Sequence, residues 1–439
     1  MIVMKFGGSS LNDAKRIRSA ASIITGSVES RPVVVVSALG GVTDSLVNIA
    51  RAATNGNVRA DLLSELARRH YGIVDDLGLA HSTIAREIGE LVCLGTDTKW
   101  TRGMSQAQAI DHLVSFGERM SARIVAGYIG RVGHNARAYD SYDIGFVTDS
   151  NFGDADVPEV AYPGIGRSLM GLNHIPVVTG FIGRDPHNRI TTLGRGGSDY
   201  TATIIGASIG AEEIQIWKDV DGIMTADPRV VPGARKVTNL SVDEALELAV
   251  LGAKVLHRSA MIPAIRKGIP VRIMNTFSPD SEGTIIDDNA ILMARVASIT
   301  RREPVRAINI STPRMSGAAG FLHRIFAVFG DHQVAVNMVS TSEINVSLTV
   351  NGNVGINGIV PELRRIGEVE VREERSEISL VGHRINEVPD IFTTLFSALR
   401  GIGIEMTSSP MSDISLSLVV RDGQSAEAVR RLHSAFFGA

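Results

Sequence analysis

PVVVVSALGGVTD (residues 32–44) is an unbroken apolar run that ends in a hydroxyl residue and two glycines. A run without polar alternation is typical of a strand buried on both faces of a parallel sheet, with helices on each side. Further apolar runs predict strands at 175–183, 213–222 and 269–275. Residues typical of helices dominate from about 51 to 124. The first two thirds of the chain are therefore predicted to be α/β, with a largely parallel sheet.

The first stretch of the chain, MIVMKFGGSS (1–10), shows the same pattern, because a predicted strand over 2–6 ends in Gly7 and Gly8. Taken alone, the pair is typical of a tight turn in which glycine supplies a positive φ angle. The alternative is a phosphate cradle, in which the glycines expose backbone N–H groups and Lys5 adds a point charge. These ten residues alone favour the turn, so the choice between the turn and the phosphate cradle depends on the rest of the sequence.

TTLGRGGSDYTA (191–202) is the stretch richest in residues that could bind a ligand. Its glycines free backbone N–H groups, and Ser198 or Asp199 is predicted to cap the helix that follows, whose N-terminus favours an anion. Arg195 can hold a carboxylate in a bidentate fork, while Asp199 can meet an ammonium group. The alternative is a glycine-rich turn with a good helix cap. The density of functional residue types favours a binding loop.

WKDVDGIMTADPR (217–229) begins as a strand and continues into two acids, a glycine and an Asp-Pro-Arg sequence. Asp219 and Asp221 could hold Mg²⁺ through waters or contact a ribose, and Arg229 could reach a phosphate. A loop stabilised by Asx turns explains the same residues equally well. The stretch alone does not decide between these two interpretations.

Two further charged residues lie within helical patterns, where an ordinary surface role is the default. SFGERMSARI (115–124) places Glu118 beside two arginines, which predicts a solvated side chain in an i,i+4 pair rather than a carboxylate that binds an ammonium group. GAKVLH (252–257) places Lys254 near a helix end, where a surface lysine is expected, and His257 is interpreted as structural.

The composition of the chain excludes several classes of protein. With 439 residues, 44% hydrophobic and 21% charged, it has the composition of a soluble globular protein of two or three domains. A net charge of −3 does not indicate binding to nucleic acid or to an anionic membrane. The single cysteine, Cys93, excludes an internal disulfide and a cysteine zinc site, and fits a reducing cytoplasm. We expect neither a membrane span nor a signal peptide. Walker A, dinucleotide-fold and Ser-His-Asp signatures are absent, as is metal-ligand spacing of histidines.

An internal repeat follows a probable domain boundary at TFSPDSEGTIIDDN (276–289). FLHRIFAVFGDHQVAVNMVSTSEINVSLTV (321–350) aligns without gaps on IFTTLFSALRGIGIEMTSSPMSDISLSLVV (391–420), at a constant offset of 70 positions. Each copy is predicted to be one small βαββαβ unit with its own sheet, packed on the other copy or on another chain. The second copy lacks a final strand, for which ARVASI (294–299) is the candidate.

Together, KFGGSS, VVVVSALGGVTD, SFGE, VVTGFIG, TTLGRGGSDYTA, WKDVDGIMTADPR and GAKVLH resemble, in this order, the aspartate kinases with tandem ACT modules. The resemblance covers nearly the whole chain. It implies a three-layer αβα amino acid kinase domain over 1–288 and two ferredoxin-like ACT modules over 294–372 and 373–439. It also implies ATP with Mg²⁺, and conversion of L-aspartate to 4-phospho-L-aspartate, the first step towards lysine or diaminopimelate, threonine and methionine.

The resemblance assigns roles to individual residues. The implied catalytic residues are Lys5, Glu118, Arg195, Asp199 and Lys254. The phosphates and the rest of ATP would contact Lys5, Gly7, Gly8, Ser9, Lys218, Asp219, Met224, Arg229 and Lys254. Aspartate would contact Ser37, Thr43, Glu118, Arg195, Gly197, Ser198 and Asp199. Since a carboxylate nucleophile is already ionised at pH 7, no general base is required. No protein side chain is assigned to the metal, which would arrive with ATP.

The ACT modules resemble an amino acid sensor. The implied effector contacts are Met315, Ser316, Gly320, Phe321, Leu322, Asn337, Thr341, Ser342 and Glu343. Lysine is the first choice, since MVSTSE in a single-function chain resembles lysine-sensitive members, and threonine is the second. The alternative for this segment is an apolar dimer interface with incidental polar residues. A homodimer through the ACT modules is expected, with a tetramer as a further option.

Two residues depart from the pattern of the family, and two other functions remain as alternatives. Lys218 stands where many members have threonine, and Asn337 where some lysine-inhibited members have aspartate. A kinase of the same fold acting on glutamate, acetylglutamate, carbamate or UMP would share the glycine loops, but SFGE, WKDVDG and the ACT pair favour aspartate. A non-catalytic sensor with an inactive kinase domain is disfavoured, because the paired opposite charges of an active site are retained.

Overall fold

The computed structural model describes residues 1–252, 257–288, 293–312 and 320–438. Its strands are β1 (Ile2–Phe6), β2 (Val33–Val36), β3 (Ala136–Tyr139), β4 (Ile175–Thr179), β5 (Ile182–Arg184), β6 (Ile190–Thr192), β7 (Glu213–Lys218), β8 (Asn239–Leu240), β9 (Val271–Asn275), β10 (Thr284–Ile286), β11 (Ser298–Ser311), β12 (Met338–Thr341), β13 (Asn345–Asn351), β14 (Glu368–Val381), β15 (Ile404–Ser408) and β16 (Ser415–Arg421). Its helices are α1 (Ala14–Gly26), α2 (Val42–Thr54), α3 (Ala60–Asp76), α4 (Ala85–Thr96), α5 (Gln106–Arg131), α6 (Tyr162–Leu169), α7 (Gly197–Ile209), α8 (Val242–Val250), α9 (Arg258–Lys267), α10 (Phe321–Asp331), α11 (Ile359–Leu363), α12 (Ile391–Ala398) and α13 (Asp422–Phe437). None of these helices is both long and apolar enough to span a bilayer.

The chain forms two compact units, the first made of Met1–Ile223 and Val255–Asn289, the second of Met224–Lys254 and Ala290–Ala439. The chain therefore passes between the units near residues 223, 254 and 289. Each unit has its own sheet and its own apolar core.

The first unit is built on the predicted parallel sheet. Its strands lie in the order β3-β4-β2-β1-β7-β9-β10, and all pair in parallel except β10, which is antiparallel to β9. The four valines of β2 are fully buried, as the unbroken apolar run predicts. Met4 and Val34 belong to a core shared with α1–α5, while α7 packs against β1 and β7. The predicted α/β fold, with helices on both faces of the sheet, is confirmed.

Two predicted strands are shorter than the apolar runs suggested. The run at 175–183 divides into β4 and β5, because the chain turns at Gly180 and Phe181 and β5 pairs with β6 in a separate small sheet. The run at 213–222 leaves the sheet after Lys218, at the acids and the glycine that follow.

In the second unit, the two repeat copies form one antiparallel sheet, in the order β12-β13-β11-β14-β16-β15. The expectation of a separate sheet for each copy is therefore wrong. The long strands β11 and β14 each serve both copies. Residues 305–311, at one end of β11, pair with β13 of the first copy. At the other end of β11, Ser298 and Ile299 pair with Val381 and Leu380 of β14. The stretch 294–299 thus reaches the sheet of the second copy, next to its first strand.

Most of the segment between β7 and α9, from Met224 to Lys254, is also part of the second unit. Ala226 and Val231 lie in one apolar core with Ile378 and Leu418 of the second repeat copy. Thr225 contacts His433 of α13, with 2.9 Å between Oγ1 and Nε2. The second half of the WKDVDGIMTADPR stretch is therefore anchored within the second unit.

Candidate active site

The carboxyl ends of three neighbouring strands place the predicted loops side by side. In the parallel register, Phe6 of β1 is paired with Val36 of β2 on one side and with Trp217 of β7 on the other. The loops beginning at Gly7 and Ser37, and the Lys218 side chain, thus lie at the same edge of the sheet. Open α/β sheets bind their ligands at this edge.

A cleft of about 370 Å³ opens there. It is lined by residues from β1, the loop after β2, α5, the turn after β4 and the N-terminus of α7, namely Lys5, Gly8, Ser37, Ala38, Leu39, Gly40, Gly41, Thr43, Asp44, Glu118, Phe181, Gly194, Gly196, Gly197, Ser198 and Asp199. The cleft therefore brings together most of the side chains that the sequence predicts for aspartate, and the lysine predicted for the phosphates.

Asp199 holds two ammonium groups at one end of this cleft. Its Oδ1 lies 2.5 Å from Nζ of Lys5 and its Oδ2 lies 3.2 Å from Nζ of Lys218. Lys5 and Asp199 are both buried, with 6% and 6% of their surfaces exposed. Both carboxylate oxygens of Asp199 are thus engaged by cations of the protein itself.

The electrostatics of this group follow from burial and from the two lysines. Burial opposes ionisation of Asp199, but Lys5 and Lys218 outweigh it and lower the pKa of the carboxyl group. Burial lowers the pKa of the Lys5 ammonium, an effect that Asp199 opposes and Lys218 reinforces. Two lysine ammonium groups and one carboxylate give this cluster a net charge of +1, so it can accept a further anion.

Glu118 lies in the same cleft, and none of the described lysines or arginines forms an ion pair with it. The side chain comes from α5, is only 3% exposed, and accepts a hydrogen bond at Oε1 from the backbone N–H of Ala38, at 3.1 Å. Its Oε2 is buried and has no hydrogen-bond partner among the described residues. Burial raises the pKa of Glu118 to about 8, despite the Ala38 hydrogen bond and the charge of Lys5.

The arginines beside Glu118 in the sequence do not pair with it. Arg123 contacts Asp140 at 2.8 Å and Glu87 of α4 at 2.6 Å, and Arg119 contacts Asp140 at 3.3 Å. These partners come from other elements, so the predicted solvated i,i+4 pair is wrong. Glu118 lines the cleft instead.

The N-terminus of α7 differs from the predicted cap. Gly196 is the N-cap, with φ of 71°, and no side chain caps the helix, so the prediction that Ser198 or Asp199 does so is wrong. A Cβ on Gly197 would lie 2.7 Å from the Phe181 ring, and one on Gly196 would lie 2.7 Å from Cβ of His257. The glycines thus allow the close approach that brings Ser198 and Asp199 to the cleft.

Phe181 is a residue of the cleft that sequence reasoning missed. Its φ is 70°, a left-handed conformation that is a genuine outlier for a bulky side chain. Its N–H donates to Oγ1 of Thr201, at 2.9 Å, and its carbonyl accepts from the N–H of Leu193, at 2.8 Å. Backbone strain of this kind clusters at functional sites. The only signal in the sequence is the glycine before it, which marks a turn but not its hand.

Some predicted residues lie elsewhere. Arg195 is exposed and does not line the cleft. The Gly7 N–H donates to the carbonyl of Trp217, at 3.2 Å. Asp219 is exposed. Ser9 does not line the cleft either.

The remaining nucleotide predictions fall outside the first unit or outside the described residues. Met224 and Arg229 belong to the second unit, and Arg229 pairs with Asp227 of its own loop, at 2.7 Å. Lys254 lies outside the described residues. The described residues contain no group of three or more His, Cys, Asp or Glu side chains arranged to hold a metal ion; Asp221 accepts a hydrogen bond from Asn275, at 2.6 Å.

The predicted effector contacts lie in the first repeat copy. Met315 and Ser316 are outside the described residues. The others lie at the start of α10 and along or beside β12: Gly320, Phe321, Leu322, Asn337, Thr341, Ser342 and Glu343. Gly320 is the N-cap of α10, and Asn337 donates from Nδ2 to Oδ1 of Asn351, at 3.1 Å. Thr341, Ser342 and Glu343 are exposed.

Comparisons with known proteins agree with this arrangement. Residues 1–275 match the amino acid kinase family, and residues 308–357 and 378–436 match the ACT domain. Over 99% of its length the chain is 38% identical to Aspartokinase 2, chloroplastic, of Arabidopsis thaliana, and covers 84% of that protein. Over its whole length it is 30% identical to the Lysine-sensitive aspartokinase 3 of Escherichia coli (strain K12), and covers 99% of it.

Solved structures of an aspartokinase are also similar to this chain. E. coli aspartokinase III in complex with aspartate and ADP has a TM-score of 0.83 with 28% identity, and the match covers all of both chains. The same enzyme in complex with lysine and aspartate has a TM-score of 0.82 with 28% identity, over 100% of this chain and 99% of that one.

Proposed function

Since the chain belongs to the amino acid kinase family and is an aspartokinase, we propose that it transfers the γ-phosphoryl group of ATP to the β-carboxylate of L-aspartate. The observation that carries this proposal is the division of one cleft between two carboxylates, with Asp199 bound to lysines and Glu118 free to bind a ligand cation. The products are 4-phospho-L-aspartate and ADP.

The reaction needs no general base, because the nucleophile is a carboxylate with a pKa near 4. One of its oxygens forms a bond to the γ-phosphorus while the bond from that phosphorus to the β,γ-bridging oxygen breaks, and ADP takes the electron pair. The difficulty is to bring two anions together and to stabilise the charge on the transferring group. Catalysis then depends on positioning and on fixed positive charge.

Lys5 is the cation we assign to the transferring phosphoryl group, with Lys254 and Lys218 as further predicted cations. A Cβ at Gly8 would lie 2.7 Å from the carbonyl oxygen of Ala38, so no side chain fits there and a phosphate can approach the backbone. Mg²⁺, carried by ATP, would supply additional charge neutralisation on the phosphates.

Glu118 is the group we assign to the ammonium of L-aspartate. Its unpaired Oε2 is buried in the cleft, and a cation there removes the cost of burying a carboxylate alone. Ser37, Thr43 and Ser198 line the cleft and supply hydroxyl groups for the substrate carboxylates. Arg195 would have to move to join them, because it is exposed in this structure.

Asp199 receives a different role from the one the resemblance implied. Its two oxygens are occupied by Lys5 and Lys218, so an additional contact to the substrate ammonium would have to displace a lysine. We therefore assign Asp199 to holding the lysines in position.

We further propose that an end-product amino acid regulates the enzyme through the ACT modules, with lysine as the first choice and threonine as the second. The support is the MVSTSE stretch together with the relative named as lysine-sensitive. The proposal includes a catalytic domain over 1–288, ACT modules over 294–372 and 373–439, and a dimer through these modules. Its place would be the first step of the pathway to lysine, threonine and methionine.

An acyl phosphate reacts with hydroxylamine to give a hydroxamate, whose coloured complex with ferric iron provides the test. With ATP, Mg²⁺ and L-aspartate we expect hydroxamate, and with glutamate or acetylglutamate none above background. Absence of hydroxamate with aspartate would overturn the proposal. Adding lysine or threonine to parallel reactions tests the effector: inhibition by threonine alone would overturn the choice of lysine, and no inhibition by either would overturn the proposed regulation.

A further inference from the structure

Asp111 is a buried carboxylate on α5 that the proposed mechanism does not use. It is 1% exposed. Its Oδ1 accepts a hydrogen bond from the Thr192 hydroxyl, at 2.7 Å, and its Oδ2 accepts two more, from the N–H groups of Thr192 and Gly153, each at 2.9 Å. All three partners are donors, so the site matches a carboxylate rather than an amide.

These hydrogen bonds fix the base of the glycine-rich loop. Thr192 is the last residue of β6, and the glycine-rich loop over 193–199 begins directly after it, carries Arg195, and ends in the first turn of α7, which carries Ser198 and Asp199. The carbonyl of Thr192 also accepts from the N–H of Ala155, at 2.8 Å. Asp111 therefore joins three segments: α5, the loop at 153–155 and the entry to the glycine-rich loop.

The same helix fixes the loop on the other side of the cleft. Glu118 accepts from the N–H of Ala38, in the loop after β2, and Gly117 lets that loop approach, since a Cβ on Gly117 would lie 2.7 Å from Cβ of Ala38. Asp111 and Glu118 are seven residues apart, about two helical turns, so they lie on one face of α5 and are separated by roughly 10 Å along its axis.

We propose that Asp111 is a positioning residue for the aspartokinase reaction, which holds the glycine-rich loop at a fixed distance from Glu118 along α5. The helix sets the spacing between the residues that bind the substrate carboxylates and the one that binds its ammonium. This inference rests on the proposed function, because it assumes that loop 193–199 and Glu118 bind the two ends of L-aspartate.

Asp111→Asn tests the inference, because it keeps the shape of the side chain but turns an NH₂ group towards N–H or O–H donors. Loss of hydrogen bonds to a charged group is expected to raise the KM for aspartate about tenfold or more, while the KM for ATP stays within about twofold. Thr192→Val removes the hydroxyl donor only, and a rise of about threefold is expected. This milder variant provides the same readout if Asp111→Asn does not fold.

Glu87→Gln is the matched control, since Glu87 is also buried against α5 but contacts Arg123 and neither loop. We expect a lower melting temperature for Glu87→Gln with both KM values unchanged. If Asp111→Asn or the milder variant behaves like this control, Asp111 is only structural and the inference is wrong. Failure of the proposed function is recognised separately, because the unaltered protein would then form no hydroxamate from aspartate.

Discussion

Asp199 and Glu118 are buried carboxylates of one cleft, and they differ in what surrounds them. Asp199 lies between two lysine ammonium groups, which lower its pKa, whereas Glu118 has one oxygen without a partner among the described residues and its pKa is raised to about 8 by burial. A buried charge is costly unless it is paired. The difference teaches that Asp199 is paired by side chains of the protein, whereas one oxygen of Glu118 is available to the ligand cation that we propose.

The comparison assigns the two ends of the cleft to different parts of the reaction. The lysine end carries an excess positive charge and suits the phosphoryl group, whereas no described cation pairs with Glu118 at the other end, which suits the substrate ammonium. Substitutions at the two ends should therefore change different kinetic constants.

The largest effect is expected for Lys5→Met. Removing the charge nearest the transferring phosphoryl group should lower kcat by about 10³-fold or more, with a smaller change in the KM for ATP. Lys15→Met removes an exposed lysine of α1 and should leave both constants unchanged. Hydroxamate formation under saturating ATP and aspartate measures kcat. Near-normal turnover of Lys5→Met would show that the lysine end of the cleft does not serve phosphoryl transfer.

Asp199→Asn should have the next largest effect. The amide cannot hold two ammonium groups, so Lys5 loses its fixed position and kcat should fall about 10²-fold, while the KM for aspartate stays within about threefold. Steady-state kinetics with aspartate as the varied substrate separates the two constants. If the KM for aspartate rises instead and kcat is retained, Asp199 binds the substrate ammonium and the division between the two carboxylates is wrong.

Glu118→Gln should change mainly the KM for aspartate. Replacing the carboxylate removes a charge-assisted contact to the ammonium, for which we expect a rise of roughly 30-fold in that KM and little change in the KM for ATP. Glu90→Gln, at a half-exposed acid that pairs with Arg119 outside the cleft, serves as the control and should leave the KM unchanged. An unchanged KM in Glu118→Gln contradicts the assignment.

The last effect concerns stability rather than turnover. The pKa of Glu118 is higher in the folded state than in the unfolded chain, so between about pH 4.5 and pH 8 the unfolded state has released a proton that the folded state retains. This group therefore lowers the free energy of unfolding as the pH rises through that window. Glu118→Gln should stabilise the ligand-free protein by about 4 kcal/mol at pH 8, and by little at pH 4.5. Denaturant titrations at both pH values measure this difference, and equal shifts contradict it.

The sequence predicts the architecture well where its signals are local. The valines of β2 predict a doubly buried parallel strand, and the repeat offset of 70 reappears in the structure, since α10 and α12 begin at Phe321 and Ile391. The single sheet of the repeat was not predictable in this way. It depends on the pairing of β11 with β14 across both copies, a long-range register that no local pattern encodes.

The site was predictable as a set of residues but not in its electrostatics. Arg119 and Arg123 follow Glu118 closely in the sequence of α5, which suggested a solvated ion pair, yet the arginines bind Glu87 and Asp140 from distant segments. The left-handed backbone of Phe181 and the role of Asp111 also arise from tertiary contacts. Sequence reasoning finds charged residues, and the fold decides which of them are paired.

Proton release on aspartate binding tests the division between the two carboxylates most directly. Because burial raises its pKa to about 8, Glu118 is mostly protonated at pH 7 in the free enzyme, and an ammonium group at its Oε2 should ionise it. Titration calorimetry in phosphate and Tris buffers should therefore show roughly one half to one proton released per aspartate by the unaltered protein, and none by Glu118→Gln. The same proton count for both proteins would contradict the account.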